Sequence, residues 1–299
     1  VGTQSFAITD LRAFDAAYIR EVIRDATGAL SPAIAGLALH GSPPELCAWI
    51  EQALAPDMRE VFGRSLRQQA LPAAIAAAQQ EALALLFWDL TYWKMPEEYD
   101  RLTAGEEVHL GALDFGLIDD RIVLDAGAGS GRVTLPIAKR ARKVYALDPA
   151  PGLLALLEER LRRHNITNVE LLRGVFRRIP LPDDAVDAVI SCSAFGPLEV
   201  RGGESGLQEL YRITRPGGRL VIIWPEDPAW FCRHGFHYLV LPGRLRIHFA
   251  SLADAREACQ RFYGERALRY LEKTRHPELP FTVLGVKEPR NLCWKMVEK

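Results

Sequence analysis

Asp125, Gly127, Gly129 and Gly131 stand at every second position of VLDAGAGSGR, and this spacing limits the chemistry available. An apolar run ends in an acid, and the side chains after it are stripped away. Glycines lack a Cβ, so they reach positive φ and let a ligand lie against bare backbone. A dinucleotide fingerprint requires G-x-G-x-x-G, with a pyrophosphate on the helix N-terminus that follows. Here the third glycine comes one residue early and Arg132 follows it. A P-loop requires Lys-Ser or Lys-Thr after the last glycine, and neither is present. Asp125 would repel a phosphate and suits a cationic ligand.

Three further stretches follow in order. KVYALD ends in Asp148, and a carboxylate at a strand tip accepts hydrogen bonds from both hydroxyls of a ribose. The same residue also reads as a cap for the helix at PGLLALLEERL, and one carboxylate can serve both purposes. RGVFRRIPLPDDAVDAVISCSAF places Gly174, Pro182, Asp183 and Asp187 around a loop between two strands. LYRITRPGGRLVIIW carries Pro216-Gly217, a turn whose second central residue takes positive φ.

Together these stretches resemble the class I S-adenosylmethionine-dependent methyltransferases, whose first motif is an acid followed by G-x-G-x-G. The resemblance covers residues 105–299 and implies S-adenosylmethionine as cofactor, with S-adenosylhomocysteine as product. By the same resemblance, Asp125 lies near the methionine end of the cofactor. Gly127, Ala128, Gly129 and Gly131 form the floor, Asp148 with Pro149 meets the ribose, and Val175 and Phe176 face the adenine. Ser191 and Ser193 stand at the fourth strand's tip. Val175 replaces the acid that the family turns toward adenine. Phe176 then offers its backbone N–H and ring, although it reads equally well as a core aromatic.

The methyl group on a sulfonium is already activated. The chain must therefore align an acceptor, exclude water and, where needed, remove a proton. The acceptor approaches SCSAFGP, where adenine-N6 methyltransferases carry Asp/Asn-Pro-Pro-aromatic. Ser193-Ala194-Phe195 departs from that pattern and disfavours DNA amino-group methylation. The segment PEDPAWFCRHGFHYLVLPGRLRIHF offers His237 and then Asp227 as bases, with His234 and Tyr238 behind them. Each also reads, with greater weight, as a packing or capping residue. Tyr99 is a third catalytic candidate. By the same resemblance Tyr92 is expected as a cofactor contact on the helices before the core, which related small-molecule enzymes use as a lid. Phe87, Trp88 and Trp93 are expected as the buried face of that helix.

The elements that must position these residues change rhythm along the chain. TDLRAFDAAYIREVIRDATG, SPPELCAWIEQAL with Ser42 before its prolines, PDMREVFGRSLRQQ and LPAAIAAAQQEALALLFWDLTYWK all read as helices. RIVLDA, KVYALD, VELLRG, AVDAVISCS and RLVIIW read as strands separated by helical stretches. FTVLGVK and NLCWKMV, joined by EPRN, read as an antiparallel pair, and SLADAREACQRFYG as a helix capped by Ser251. The predicted fold is α/β: a doubly wound, mostly parallel seven-stranded sheet with a closing antiparallel strand, preceded by an all-helical region. Residues 1–104 are expected as a cap, lid or dimerisation region, and 105–299 as the cofactor domain.

Composition narrows the partners. The chain of 299 residues is 48% hydrophobic with a net charge of -1, so no global field draws in nucleic acid or an anionic membrane. The runs KRARK and ERLRRHN close predicted helices, where cations favour the helix dipole. The five cysteines contain no CxxC, and Cys232-x-His234-x-x-His237 lacks a second ligand pair at zinc spacing, so no metal is expected. VGTQSFAITD lacks the pattern of a signal peptide and no apolar run is long enough to span a bilayer, which suggests a cytoplasmic protein. The expected function is methyl transfer to a small-molecule acceptor by a monomer or homodimer. The alternatives are an RNA or protein acceptor, or a non-catalytic S-adenosylmethionine-binding regulator. An NAD-type oxidoreductase is opposed by the glycine spacing.

Overall fold

The computed structural model describes residues 6–25, 28–108, 116–285 and 288–299. They form two compact units, one of residues 6–96 with Leu198–Val200 and one of Glu97–Pro197 with Arg201–Lys299. The division falls at 96/97 rather than 104/105, because the helix that starts at Pro96 packs with the second unit.

The first unit contains α1 (Ala16–Val22), α2 (Pro32–Ala38), α3 (Pro44–Ala53), α4 (Pro56–Arg67), α5 (Pro72–Leu85) and α6 (Phe87–Lys94). Four of these open on proline, whose fixed φ and missing N–H suit the first helical position. The stretch expected as one helix from Thr9 is divided into a 3-10 turn, Ile8–Ala13, and α1. The division follows from Asp15, whose extended backbone and side chain cap Tyr18 N at 2.7 Å. Ser42 does not cap α3; Pro43 holds that position and makes no side-chain bond. Leu86 breaks the long alanine-rich helix into α5 and α6. Buried Asp89 accepts a hydrogen bond from the Tyr18 hydroxyl, and Trp93 packs on Phe14 and Tyr18. Trp88, expected in the buried face, is 41% exposed.

The second unit opens with α7 (Pro96–Thr103), β1 (Ile122–Ala126), α8 (Thr134–Ala138), β2 (Lys143–Asp148), α9 (Pro151–Arg163) and β3 (Val169–Arg173). It continues with β4 (Val186–Cys192), α10 (Gly203–Ile213), β5 (Thr214–Ile223), α11 (Pro228–Arg233) and β6 (His237–Val240). Next come β7 (Arg246–His248), α12 (Leu252–Ala258), α13 (Glu265–Thr274), β8 (Glu278–Pro280), α14 (Phe281–Leu284) and β9 (Asn291–Met296). The main sheet has the order β3-β2-β1-β4-β5-β9-β6, and β9 alone runs antiparallel to its neighbours. This is the expected Rossmann-like architecture.

Apolar residues cover both faces, as a parallel sheet requires. Leu124, Val189, Leu220 and Phe231 belong to one layer. Val123, Val144, Ile190 and Val221 belong to the other. Gly217 takes φ 76 in the turn of RPGG, as its sequence requires.

One expected pairing is wrong. Phe281–Leu284 is a turn of helix following Pro280, and β9 pairs with β5 and β6 instead. Phe281 and Leu284, three positions apart, both enter a local core with Ile247, Leu271 and Trp224, which favours helical spacing. Residues 286–287, the end of that expected strand, lie outside the described residues. The 241–290 segment therefore forms an insertion between β6 and β9, with β7 and β8 as a separate two-stranded sheet. Ser251 caps α12 as expected, but the helix widens into a π turn at Cys259–Tyr263. Among the described residues no helix is long and apolar enough to cross a membrane.

Candidate active site

The chain leaves β1 at Ala126 and crosses the tips of the central strands. Gly127, Gly129 and Gly131 adopt φ 84, 53 and 98, a region that side-chain-bearing residues rarely enter. A Cβ at 127 would stand 2.3 Å from the Ala194 Cβ, and one at 131 would stand 2.4 Å from Leu157 Cδ1. Above Gly129 there is space, with Tyr99 Cε1 the nearest atom at 4.0 Å. Gly127 N and Ala128 N both donate to Leu147 O, at 2.8 and 2.9 Å, which pins the loop to the end of β2.

Two carboxylates are buried beside this loop. Asp125 is 1% exposed and accepts a hydrogen bond from Thr134 Oγ1 at 2.6 Å. Burial pushes its pKa up to about 7, against the Thr134 bond, and the charge of Asp148 adds to the rise. Asp148 accepts from Gly129 N and Ala150 N, each at 2.9 Å, while burial pushes its pKa up to about 6. The N-cap of α9 is Ala150, so Asp148 does not cap that helix directly; it closes a short turn onto Ala150 and retains free lone pairs. Pro149 is half-buried between them.

The remaining expected contacts divide. Phe176 Cζ lies 3.4 Å from the Cβ position of Gly127, and its ring meets Phe195 edge-on at 5.2 Å. Val175 is half-buried and bridges to Arg178 through its backbone. Ser193 is exposed at the tip of β4 with φ 54, and its N–H donates to Ile223 O. Ser191 is completely buried: its hydroxyl donates to Ala126 O at 2.6 Å and accepts from Phe195 N at 3.2 Å. It ties two strand tips together and has no surface to offer a ligand. Tyr92 belongs to the helical unit, where it stacks on Trp88.

In the segment after β5 each candidate base has a structural partner. His237 opens β6, the edge strand four places from β1, and its ring lies on Trp294 at 4.6 Å. Asp227 caps α11, accepting from Ala229 N and Trp230 N at 3.0 and 3.1 Å. His234 Nδ1 lies 2.8 Å from Trp230 O and its Nε2 pairs with Glu204. The Tyr238 hydroxyl accepts from Asn291 Nδ2 at 3.3 Å. Among the described residues no group of three His, Cys, Asp or Glu side chains is arranged to hold a metal ion. Of the three catalytic candidates, only Tyr99 stands beside the glycine loop.

Sequence reasoning missed the residue that holds Tyr99 there. Arg160, read within a helix-closing basic run, donates from Nη1 to Ser130 O at 3.0 Å and from Nη2 to Asp100 Oδ2 at 2.6 Å. It thereby joins α7, α9 and the glycine loop. Arg132 pairs with half-buried Glu106 and reaches Cys192 Sγ at 3.9 Å. Both partnerships join residues distant in sequence, and the basic residue types alone announce neither.

Comparison with known proteins agrees with this geometry. Residues 123–218 match a family model described as a methyltransferase domain. The chain is 38% identical over 104 residues to an uncharacterized methyltransferase of Mycobacterium tuberculosis, covering 35% of this chain and 40% of that protein. It is 38% identical over 148 residues to a malonyl-[acyl-carrier protein] O-methyltransferase of Serratia marcescens, covering 48% and 53%. A demethylmenaquinone methyltransferase of Streptomyces avermitilis is 35% identical over 108 residues, covering 36% and 44%. A solved S-adenosylmethionine-dependent methyltransferase of Aquifex aeolicus, 25% identical, aligns with 49% of this chain and 91% of its own at a TM-score of 0.42. The chain thus spans about two fifths to a half of the relatives it matches.

The second unit has the fold of the class I S-adenosylmethionine-dependent methyltransferases, and its residues 123–218 match a methyltransferase domain. Its residues fit that cofactor. The loop is a cradle that Cβ atoms would fill at 127 and 131, and the flanking groups are carboxylates, suited to a cation and to ribose hydroxyls.

Proposed function

We propose that this chain is a methyltransferase that transfers a methyl group from S-adenosylmethionine to a small-molecule acceptor. One observation carries the proposal: a side-chain-free turn at the tips of a doubly wound sheet, flanked by two buried carboxylates. When bound, the cofactor supplies a methyl group already activated by its sulfonium.

The chain's own residues bind and orient. Gly127, Ala128, Gly129 and Gly131 form the floor, and Asp125 neutralises the cationic amino-acid end. Asp148 accepts from the ribose, with Pro149 setting its turn, and Phe176 with Val175 walls the adenine side. Tyr99, on the helix that the Arg160–Asp100 pair ties to the loop, places its ring edge over Gly129 and shields that part of the loop from water. Ser193, exposed at the β4 tip, faces the acceptor. A small acceptor is supported by two relatives, a demethylmenaquinone methyltransferase and a malonyl-[acyl-carrier protein] O-methyltransferase.

Calorimetric titration of the full chain with S-adenosylhomocysteine tests the proposal. Saturable binding at one site per chain is expected, weakened at least about tenfold by Asp148→Ala. A folded protein that binds neither S-adenosylmethionine nor its demethylated product overturns it.

A further inference from the structure

At the opposite pole of the sheet, below the N-terminal ends of the strands, lies a cavity of about 270 Å³. Its walls include Arg121, Arg215 and Arg219, with Asp187 as its carboxylate. We propose that this cavity is an oxyanion site that takes a phosphate group, separate from the cofactor loop.

The strand register places the arginines. Val123 pairs with Ala188, and Ala188 pairs with Arg219, so these side chains share a face of the sheet. Arg121 lies two residues before Val123 and continues that face. Arg121, just before β1, and Arg219 on β5 therefore line the cavity from either side of β4. Arg219 is backed by the Trp294 ring, 5.6 Å from its Cζ, which orients the fork without neutralising it.

Charge is unbalanced in the direction an anion needs. Arg215 is already satisfied: Nη1 donates to Asp187 Oδ1 at 2.6 Å and Nε donates to Asp184 O at 2.9 Å. Asp187 in turn accepts from Ile122 N at 2.8 Å, so it is held by the fold. Among the described residues neither Arg121 nor Arg219 forms an ion pair within 4 Å or a side-chain hydrogen bond; Arg121 feels the Asp187 charge only at longer range. The lining thus carries an excess of two positive charges, matching a dianion such as hydrogen phosphate. Planar guanidinium forks bind phosphate through paired hydrogen bonds. The third wall is the Gly217-Gly218 turn, where among the described residues a Cβ at 217 would meet nothing within 4 Å.

The cavity is remote from the cofactor loop. The five residues of β1 lie between them, and at about 3.3 Å per residue the separation is roughly 16 Å. The proposal does not depend on methyltransferase activity, and its test reads a different ligand.

The full chain is titrated with inorganic phosphate and, separately, with phenyl phosphate, at fixed ionic strength set by sodium chloride. Saturable binding is expected, with the dissociation constant raised about tenfold by either Arg121→Gln or Arg219→Gln and binding lost in the double variant. Tighter binding of phenyl phosphate identifies a phosphomonoester as the ligand; tighter binding of phosphate identifies the free ion. S-adenosylhomocysteine affinity stays within about twofold throughout, which also reports that the variants fold. Arg121→Lys and Arg219→Lys, which keep charge and lose the fork, give intermediate affinity. Absence of saturable binding up to about 20 mM phosphate, or affinity unchanged in the double variant, overturns the proposal.

Discussion

Asp125 combines the deepest burial in the site with a charge, and this makes its substitution informative in two directions. With its pKa raised to about 7, the ionised carboxylate is opposed by the fold around it. Asp125→Asn removes that charge and retains an oxygen to accept from Thr134. The ligand-free variant is therefore expected to gain about 1–3 kcal/mol at pH 8, measured by urea unfolding, while its affinity for S-adenosylmethionine falls at least about tenfold. A variant that is neither stabilised nor weakened in binding removes Asp125 from the site. Gly131→Ala has a single direction. Its φ of 98 and the 2.4 Å approach to Leu157 Cδ1, in a fully buried side chain, lead to a loss of about 1–3 kcal/mol. An unchanged unfolding midpoint would mean that the loop relaxes freely. These residues were legible in the sequence because an acid before alternating glycines is an unusual combination of types. Ser191 was not legible, because its hydroxyl is used by Ala126, 65 residues away. His237 drew attention by its titratability, whereas its place is fixed by strand pairing.

Elements were legible where local chemistry agrees with the fold. The five parallel strands carry near-continuous apolar runs, and prolines at 32, 44, 56, 72, 96, 151 and 228 each open a helix. The insertion before β9 was less legible. β6 is four residues of HYLV whose side chains are all exposed, so burial gave it no alternating pattern. α13 follows a π turn, and α14 is only four residues long. Connections between elements were the least legible, and Arg160 is the clearest instance. Arg160→Met retains its aliphatic stem but removes the bonds to Ser130 O and Asp100. Hydrogen exchange is expected to accelerate in α7 and in the glycine loop, and S-adenosylhomocysteine affinity to fall about threefold to tenfold. Exchange unchanged in α7 would show that Leu102, packed in the core of the insertion, holds that helix without Arg160.

At the scale of the whole molecule, the buried carboxylates couple ligand binding to acidity. Both Asp125 and Asp148 hold protons in the folded state to about 7 and about 6, whereas the ordinary value is 3.8. Between those limits the native state binds more protons than the unfolded chain, so stability falls as pH rises through that window and levels off above it. Glu107, Asp187 and Glu209 act in the opposite sense: their carboxyls are held below the ordinary range by His248, Ile122 N with Arg215, and Arg212 respectively, and their contribution is lost only as pH falls toward and below about 4. Among the shifted carboxyls, the window from pH 5 to 7 therefore belongs to Asp125 and Asp148. A ligand bearing an ammonium group favours the ionised pair, so binding lowers both pKa values and expels protons. Thermal unfolding is expected to show a ligand-free midpoint that declines from pH 5 to 7 and a stabilisation by S-adenosylmethionine that grows over the same interval. Calorimetry near pH 6.5 in buffers of different ionisation enthalpy is expected to report net proton release on binding. A ligand-free midpoint that rises across the window, together with binding heats independent of buffer, would mean that Asp125 and Asp148 are already ionised in the empty fold. Their burial would then be neutralised from within the chain, and the cofactor's cation would have no unbalanced charge to meet.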